Sequence, residues 1–280
     1  MMLLVDIGNT RAKLAWLAPG DTARSTPPHS VGYADLAEFI RQSRPVPQRI
    51  LGSNVAGEAI AHALEQACRQ HWHLEVQWCD ARDGQDLLHN PYAQPRQLGA
   101  DRWLGMLGLL QRIRHEPDWQ AGAPCMLASF GTATTIDTLL HSSPAKEGPE
   151  ARFLGGLILP GVTLMAHSLT DGTARLPLAG GLSTDFPTDT HAAITSGIVA
   201  AQGGALLRQW RLAQQHGYPP PRIFVTGGGW PAVSTDLCQA LTQAQADLHR
   251  PLQAPEWLDA PVLDGLACLG RRNSLPQAVP

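Results

Sequence analysis

The sequence predicts an α/β chain built on a duplicated strand–turn–strand unit. Three observations carry that expectation. The pattern D-I-G-N-T at Asp6 to Thr10 returns in altered form as S-F-G-T-A at Ser129 to Ala133. Each copy follows a short apolar run, Met2 to Val5 and Met126 to Ala128, and precedes a second one, Lys13 to Leu17 and Thr134 to Leu140. Around the copies, short apolar runs alternate with longer stretches of helical periodicity. Internal repetition constrains a whole fold, so the duplication is the most informative feature of the chain.

Taken in order, the Leu3 to Leu17 hairpin comes first. A polar, proline-rich stretch over 18–30 leads to a helix expected over 33–43. Residues 49–55 read as a short strand ending in G-S-N, and 58–71 as a helix with Ile60, Leu64 and Ala67 on one stripe. Residues 73–79 alternate and read as a strand. A turn-rich segment over 80–98 carries Asn90-Pro91-Tyr92. The helix expected from Asp101 to about His115 presents Trp103, Met106, Leu107, Leu110 and Ile113 on one face and stops before Pro117. The stretch 116–124 is the candidate boundary, dividing the chain into halves 1–117 and 118–280. Strands over 125–130 and 134–140 flank the second turn, and 141–152 is a polar loop. A strand over 154–159, Pro160-Gly161, and a helix over 162–169 follow. Residues 176–190 form a proline- and glycine-rich loop. A long helix over 192–215 contains Gly203-Gly204. A strand over 222–225 ends in T-G-G-G, and helices over 239–248 and 263–269 close the chain.

Composition narrows the function. At 44% hydrophobic residues the 280-residue chain has material for a substantial core. A net charge of -3 offers no global basic field for nucleic acid or anionic membrane. The longest apolar stretch, 154–165, is short and broken by Gly155, Gly156, Pro160 and Gly161, which argues against a bilayer span. The start reads as a strand with Asp6 inside it and not as a signal peptide. Five scattered cysteines without C-x-x-C spacing point to a reducing, cytoplasmic setting. No G-x-x-x-x-G-K-[ST] is present, which excludes a P-loop kinase at motif level, and no G-x-G-x-x-G follows the first strand.

The two turns carry the chemistry. A polar hairpin turn with glycine and hydroxyl side chains offers backbone N–H groups to a phosphate. Asp6, just before the first turn, is either an Asx-type turn former or the carboxylate that holds a hydrated divalent cation. Asp101 is either a helix N-cap or a general base that takes a proton from a substrate hydroxyl. Arg102 is a surface residue or a fork for a substrate carboxylate, and Tyr92 packs or meets substrate. The Thr226 to Gly229 turn is an ordinary connection, or a wall where Gly227 and Gly228 let backbone approach an adenine or ribose.

Several of these segments together resemble the type III pantothenate kinases. D-I-G-N-T-R-A-K at Asp6 to Lys13 is similar to that family's phosphate-1 motif. G-A-D-R at Gly99 to Arg102 is similar to its catalytic and substrate motif, and S-F-G-T-A-T-T-I-D to its D-x-G-T-A-x-T-x-D segment. G-G-x-I-x-P-G at Gly155 to Gly161, T-A-x-L-P at Thr173 to Pro177 and T-x-x-A-I-x-S-G at Thr190 to Gly197 match in the same order. The resemblance spans nearly the whole chain. It implies two ribonuclease-H-like halves in the actin-like ATPase architecture, with ATP and magnesium bound. It implies phosphorylation of pantothenate, the first step of coenzyme A biosynthesis. By motif match Asp101 is the base. Asp6 (also the metal residue), Gly8, Asn9, Thr10, Arg11, Lys13, Gly131 and Thr132 meet ATP, and Tyr92, Gly99, Ala100, Arg102 and Thr190 meet pantothenate. The family has Asp at the position of Ser129, where it helps bind potassium or ammonium. Ser129 carries no charge, and Asp137 lies at the far part of the strand. The resemblance also implies a homodimer. The long helix fits one, with Ile194, Ile198, Ala201, Ala205 and Leu206 beside Gly203-Gly204, although intramolecular packing accounts for the same pattern. Two other expectations remain: a kinase of another small hydroxylated substrate, and a nucleotide-binding regulator without turnover.

Overall fold

The computed structural model describes residues 1–120, 122–141, 148–173 and 176–272. They form two compact units. The first holds residues 1–116, the described residues 148–153, and 260–272; the second holds the described residues of 117–141 and 154–259. The C-terminal helix and residues 148–153 thus belong with the first unit, where the sequence reading had placed 118–280 together. Ala174 and Arg175 of the T-A-x-L-P motif lie outside the described residues.

In the first unit β1 (Met2–Ile7) and β2 (Ala12–Leu17) form the expected antiparallel hairpin. β3 (His29–Val31) pairs with β2 inside the stretch the sequence reads as a connection; three residues are too few for alternation to show. A 3-10 turn over Tyr33–Asp35 opens α1 (Leu36–Gln42). β4 (Arg49–Asn54), α2 (Glu58–Trp72) and β5 (Val76–Trp78) follow. The strand expected from His73 starts later, because His73 closes α2 in the left-handed region at φ 57°. β6 (Leu88–His89) and α3 (Ala100–Ile113) end this run. The sheet order is β3-β2-β1-β4-β5, with β4 parallel to β1 and β5.

The second unit contains α4 (Pro117–Gln120), β7 (Cys125–Phe130) and β8 (Ala133–His141). β9 (Ala151–Pro160), α5 (Val162–Gly172) and α6 (Thr190–Gln215) follow. β10 (Arg222–Thr226), α7 (Ser234–Asp247) and β11 (Glu256–Trp257) complete it. Its order is β9-β8-β7-β10-β11, with β7 and β8 antiparallel and β10 parallel to both β7 and β11. The first residues of β9 belong to the first unit and pair there with β6, Leu88 opposite Ala151. Counted from the first strand of each unit, both sheets run third, second, first, fourth, fifth. This is the ribonuclease-H-like arrangement, present twice, as in actin-like folds. The repeated motif is a repeat of topology, since both copies sit on the turn between first and second strands.

α8 (Pro261–Arg272) returns the chain to the first unit and packs on α3, β1 and β4. α3 and α8 meet backbone to backbone: a Cβ at Gly108 would overlap the Pro261 carbonyl, and one at Gly265 the Leu104 carbonyl. This contact explains why α3 buries Leu104, Gly105, Gly108 and Leu109 beyond the face its periodicity shows. On the opposite sheet face Leu3, Val5, Ile7, Leu14 and Ile50 pack against Ile40, Leu64, Cys68 and Trp72 of α1 and α2. In the second unit Met126, Ala128, Ile136, Ile223 and Val225 share a core with Leu206, Trp210, Leu237 and Leu241 of α6 and α7. Among the described residues no helix is long and apolar enough to cross a membrane.

Candidate active site

β1 carries Asp6 to the edge of the first turn, opposite Lys13 on β2 and beside Ser53 on β4. Residues paired in register share a sheet face. For these three it is the face that α8 covers, where Met2 and Leu51 also lie against Gly270. Asp6 Oδ1 is buried without a hydrogen-bond partner, and so is the hydroxyl of fully buried Ser53. Burial pushes the Asp6 carboxyl up to about 7, against the pull of Lys13, and the Asp101 carboxylate adds to the rise. An Asx turn would have Asp6 accept a backbone N–H. Oδ1 accepts none, and the turn is closed by the Gly8 N–H donating to the Arg11 carbonyl at 3.3 Å. A sheltered, unpartnered carboxylate oxygen is costly unless a cation completes it. Magnesium suits it, since that ion takes one or two carboxylates and fills its shell with water and substrate phosphate.

The rest of the turn is arranged for contact from outside. Asn9, Thr10 and Arg11 are exposed. Arg11 Nη1 donates to Ser30 Oγ at 3.2 Å. The Tyr33 hydroxyl donates to the Gly8 carbonyl; burial and the nearby Asp6 charge raise its pKa. Tyr33 was hidden from sequence reading because it sits at the head of an expected helix with no motif around it.

Asp101 lies in the first turn of α3, with Gly99 as N-cap and no side chain capping the helix. Its Oδ1 accepts the Arg102 N–H at 2.8 Å, so the N-cap alternative does not hold. A Cβ at Gly99 would stand 2.8 Å from that oxygen, so glycine keeps the carboxylate's space clear. Arg102 is buried, its guanidinium carbon 5.7 Å from the centroid of the Phe153 ring. Tyr92 stacks on the same ring at 6.1 Å and 19°. Its N–H donates to Asn90 Oδ1 at 3.0 Å. Two predicted substrate residues thus gather on Phe153, which borders an expected polar loop and gave no sequence signal.

In the second unit the Gly131-Thr132 turn joins β7 to β8, the Gly131 N–H donating to the Ala133 carbonyl at 3.0 Å. Gly161, the N-cap of α5, donates its N–H to the Thr132 carbonyl at 2.9 Å. Gly227 has φ 98° and lies against the Phe130 backbone, and the Gly229 N–H donates to the Phe130 carbonyl at 2.9 Å. The structure therefore brings Gly131, Thr132, Gly227 and Gly228 together around the end of β7. Gly228 is exposed, with nothing near its Cβ position. Ser129 stands opposite Thr135 and beside Thr226. Asp137, paired with Leu127, is its diagonal neighbour on the same face. The antiparallel return brings that buried carboxylate nearer than the sequence reading placed it.

Thr190 does not join this group. It opens α6, where Asp189 caps the helix by accepting the Ala192 N–H at 2.9 Å. It lines a cavity of about 700 Å³ with Met165, Leu169, Leu176, Ile194 and Ile198.

Comparison with known proteins gives this arrangement a family. The profile of type III pantothenate kinases matches residues 2–212. A type III pantothenate kinase of Bordetella petrii is 44% identical over 284 residues, covering 100% of both chains. One from Bordetella pertussis is 42% identical over 279 residues, covering 98% of this chain and 99% of its own. Among solved structures, a Baf family transcriptional activator from Campylobacter jejuni superposes with a TM-score of 0.53 at 17% identity, over 97% of this chain and 98% of that one. At that identity it speaks for the fold alone. The profile match and the full-length relatives place the chain in the type III pantothenate kinase family.

Proposed function

We propose that the protein transfers the γ-phosphoryl group of ATP to the hydroxyl of pantothenate, giving 4'-phosphopantothenate and ADP in the first step of coenzyme A biosynthesis. The observation that carries this reading is the pair of carboxylates in the first unit. Asp6 has a buried oxygen without a partner, and Asp101 is held clear at the head of α3 within electrostatic reach of it. Two acids so placed suit two tasks. Asp101 takes the proton of the acceptor hydroxyl, whose oxygen attacks the γ-phosphorus while the bond to the ADP oxygen breaks. Asp6 is the residue to hold magnesium, which neutralises phosphate charge when bound.

The other residues divide between the two substrates. The turn from Gly8 to Lys13 and the turn at Gly131-Thr132 take the phosphates, and Gly227-Gly228 receive the adenosine. Tyr92, Gly99 to Arg102 and Thr190 receive pantothenate, with Arg102 offering its fork to the carboxylate. At Ser129 a hydroxyl replaces a charge, so potassium or ammonium binds weakly there. A cytoplasmic setting agrees with five scattered cysteines that form no disulfide among the described residues.

The protein works as a homodimer in this reading, with the 176–190 region of one subunit helping to close the acceptor site of the other. Leu182 and Phe186 are 83% and 91% exposed, which supports a partner there. The surface offered differs from the one the sequence suggests. Ile194, Ile198 and Leu206 are buried in their own unit and Gly203 faces Leu237. Ala201 and Gly204 remain exposed on α6.

Following ADP release from purified protein with ATP and magnesium tests the function. Turnover that depends on pantothenate is expected. Turnover only with another hydroxylated acceptor would favour a different small-molecule kinase, and nucleotide binding without turnover a regulator.

A further inference from the structure

Gln202 sits in the middle of α6 at 0% exposure. A buried amide needs partners on both ends, and here only one end has them. Its Nε2 donates to the Pro160 carbonyl at 2.9 Å and lies 3.4 Å from Met165 Sδ. Its Oε1 has no hydrogen-bond partner among the described residues. The unpartnered Oε1 is a cost to stability that the single bond from Nε2 offsets only in part. The group that gains from the glutamine is a single peptide unit. Its carbonyl, from Pro160, accepts from Gln202, and its N–H, from Gly161, donates to the Thr132 carbonyl at 2.9 Å. Gly161 also approaches so closely that a Cβ there would overlap the Gly131 and Thr132 carbonyls. The orientation of one peptide plane therefore links a helix side chain to the Gly131-Thr132 turn.

We propose that Gln202 is a positioning residue for that turn: by holding the Pro160–Gly161 peptide it sets where Gly131 and Thr132 meet the nucleotide phosphates. This rests on the reading that the turn binds ATP. Without the Nε2 donor the peptide is free to rotate about its flanking bonds, and the Thr132 carbonyl loses a fixed partner. Thr190 begins the same helix about 18 Å away along its axis, and although Met165 lines its cavity too, the pantothenate contacts there should feel the change less than the turn does.

The test compares Gln202→Met and Gln202→Leu with wild type, using steady-state kinetics, calorimetric ATP affinity and thermal unfolding. Both variants should raise KM and Kd for ATP about tenfold, the weight of one buried hydrogen bond. KM for pantothenate should stay within about twofold, and the unfolding midpoint should change little, because loss of the orphaned Oε1 offsets loss of the donor to the Pro160 carbonyl. Unchanged ATP constants in Gln202→Met overturn the proposal. So does a fall in the midpoint with ATP and pantothenate constants moving together, which marks a purely structural residue. Thr132→Val separates the two levels of the argument. If it raises KM for ATP while Gln202→Met does not, only the positioning role fails. If it leaves ATP constants untouched, the phosphate reading of the turn fails, and the proposal with it.

Discussion

Asp101 and Asp6 are acids within electrostatic reach of each other, and their surroundings suit them to different work in the proposed reaction. Asp101→Asn keeps the shape and the Oδ1 acceptor but removes the proposed base. Turnover should fall by roughly two to four orders of magnitude with nucleotide affinity little changed; near-normal turnover of the purified variant would refute the assignment. Asp6 leads to a pH effect. The unfolded chain releases this proton near 3.8 and the folded one near 7, chiefly because burial penalises the charge. Between those values the folded state holds a proton that the unfolded state has lost, so stability declines as pH rises through the interval. Metal-free, nucleotide-free wild type should lose on the order of 3 kcal/mol that Asp6→Asn retains. Denaturant unfolding at several pH values checks this, and parallel pH profiles for the two proteins would contradict it. Ser129 makes a third case. A steep potassium activation of wild type would overturn the weak-site reading, whereas Ser129→Asp should introduce or sharpen one, read from initial rates in potassium against a large organic cation.

At the scale of elements, α3 carries Asp101 and Arg102 into place, and α8 holds α3. The helices touch through Gly108 and Gly265, so either glycine sets the seating of α3. Gly265→Ala should cost about 1–3 kcal/mol, the usual penalty of overpacking against a backbone that cannot give way. It should also lower turnover, because Asp101 moves with its helix. An unfolding curve and a rate coinciding with wild type would show that the contact relaxes freely. Both helices are legible in the sequence, but their contact is not. Glycines inside a helix read as weak spots in the pattern, and nothing local says that a second helix, some 160 residues on in the chain, lies on top.

For the whole molecule, the proposed homodimer would link assembly to activity. Leu182 and Phe186 stand out from the 176–190 stretch with no core of their own to enter. A two-fold dimer, the commonest soluble assembly, would cover them. Specific activity should fall on dilution below the dissociation constant, and light scattering should report twice the 30.1 kDa of one chain. A fully active monomer would rule this out. Phe186→Asp offers a second route, since a charge on a covered surface should shift the assembly toward monomer without unfolding either unit.

The sequence by itself determined the repeat, its placement on the first hairpin of each unit, and the family through the motifs around Asp6, Asp101 and Ser129. Those signals are local: glycine and hydroxyl turns, apolar runs and short fixed spacings survive being read one segment at a time. β3, β6 and β11 escaped because they are two or three residues long and, unlike β5, sit in stretches without alternation around them. Tertiary structure alone decided that the C-terminal helix joins the first unit, that Phe153 gathers Tyr92 and Arg102, and that Tyr33 holds the first turn. It alone brought Asp137 diagonal to Ser129 and tied Gln202 to Thr132 through one peptide. Most of these join residues distant in sequence, and all are fixed by sheet register or helix packing, which a linear pattern does not record.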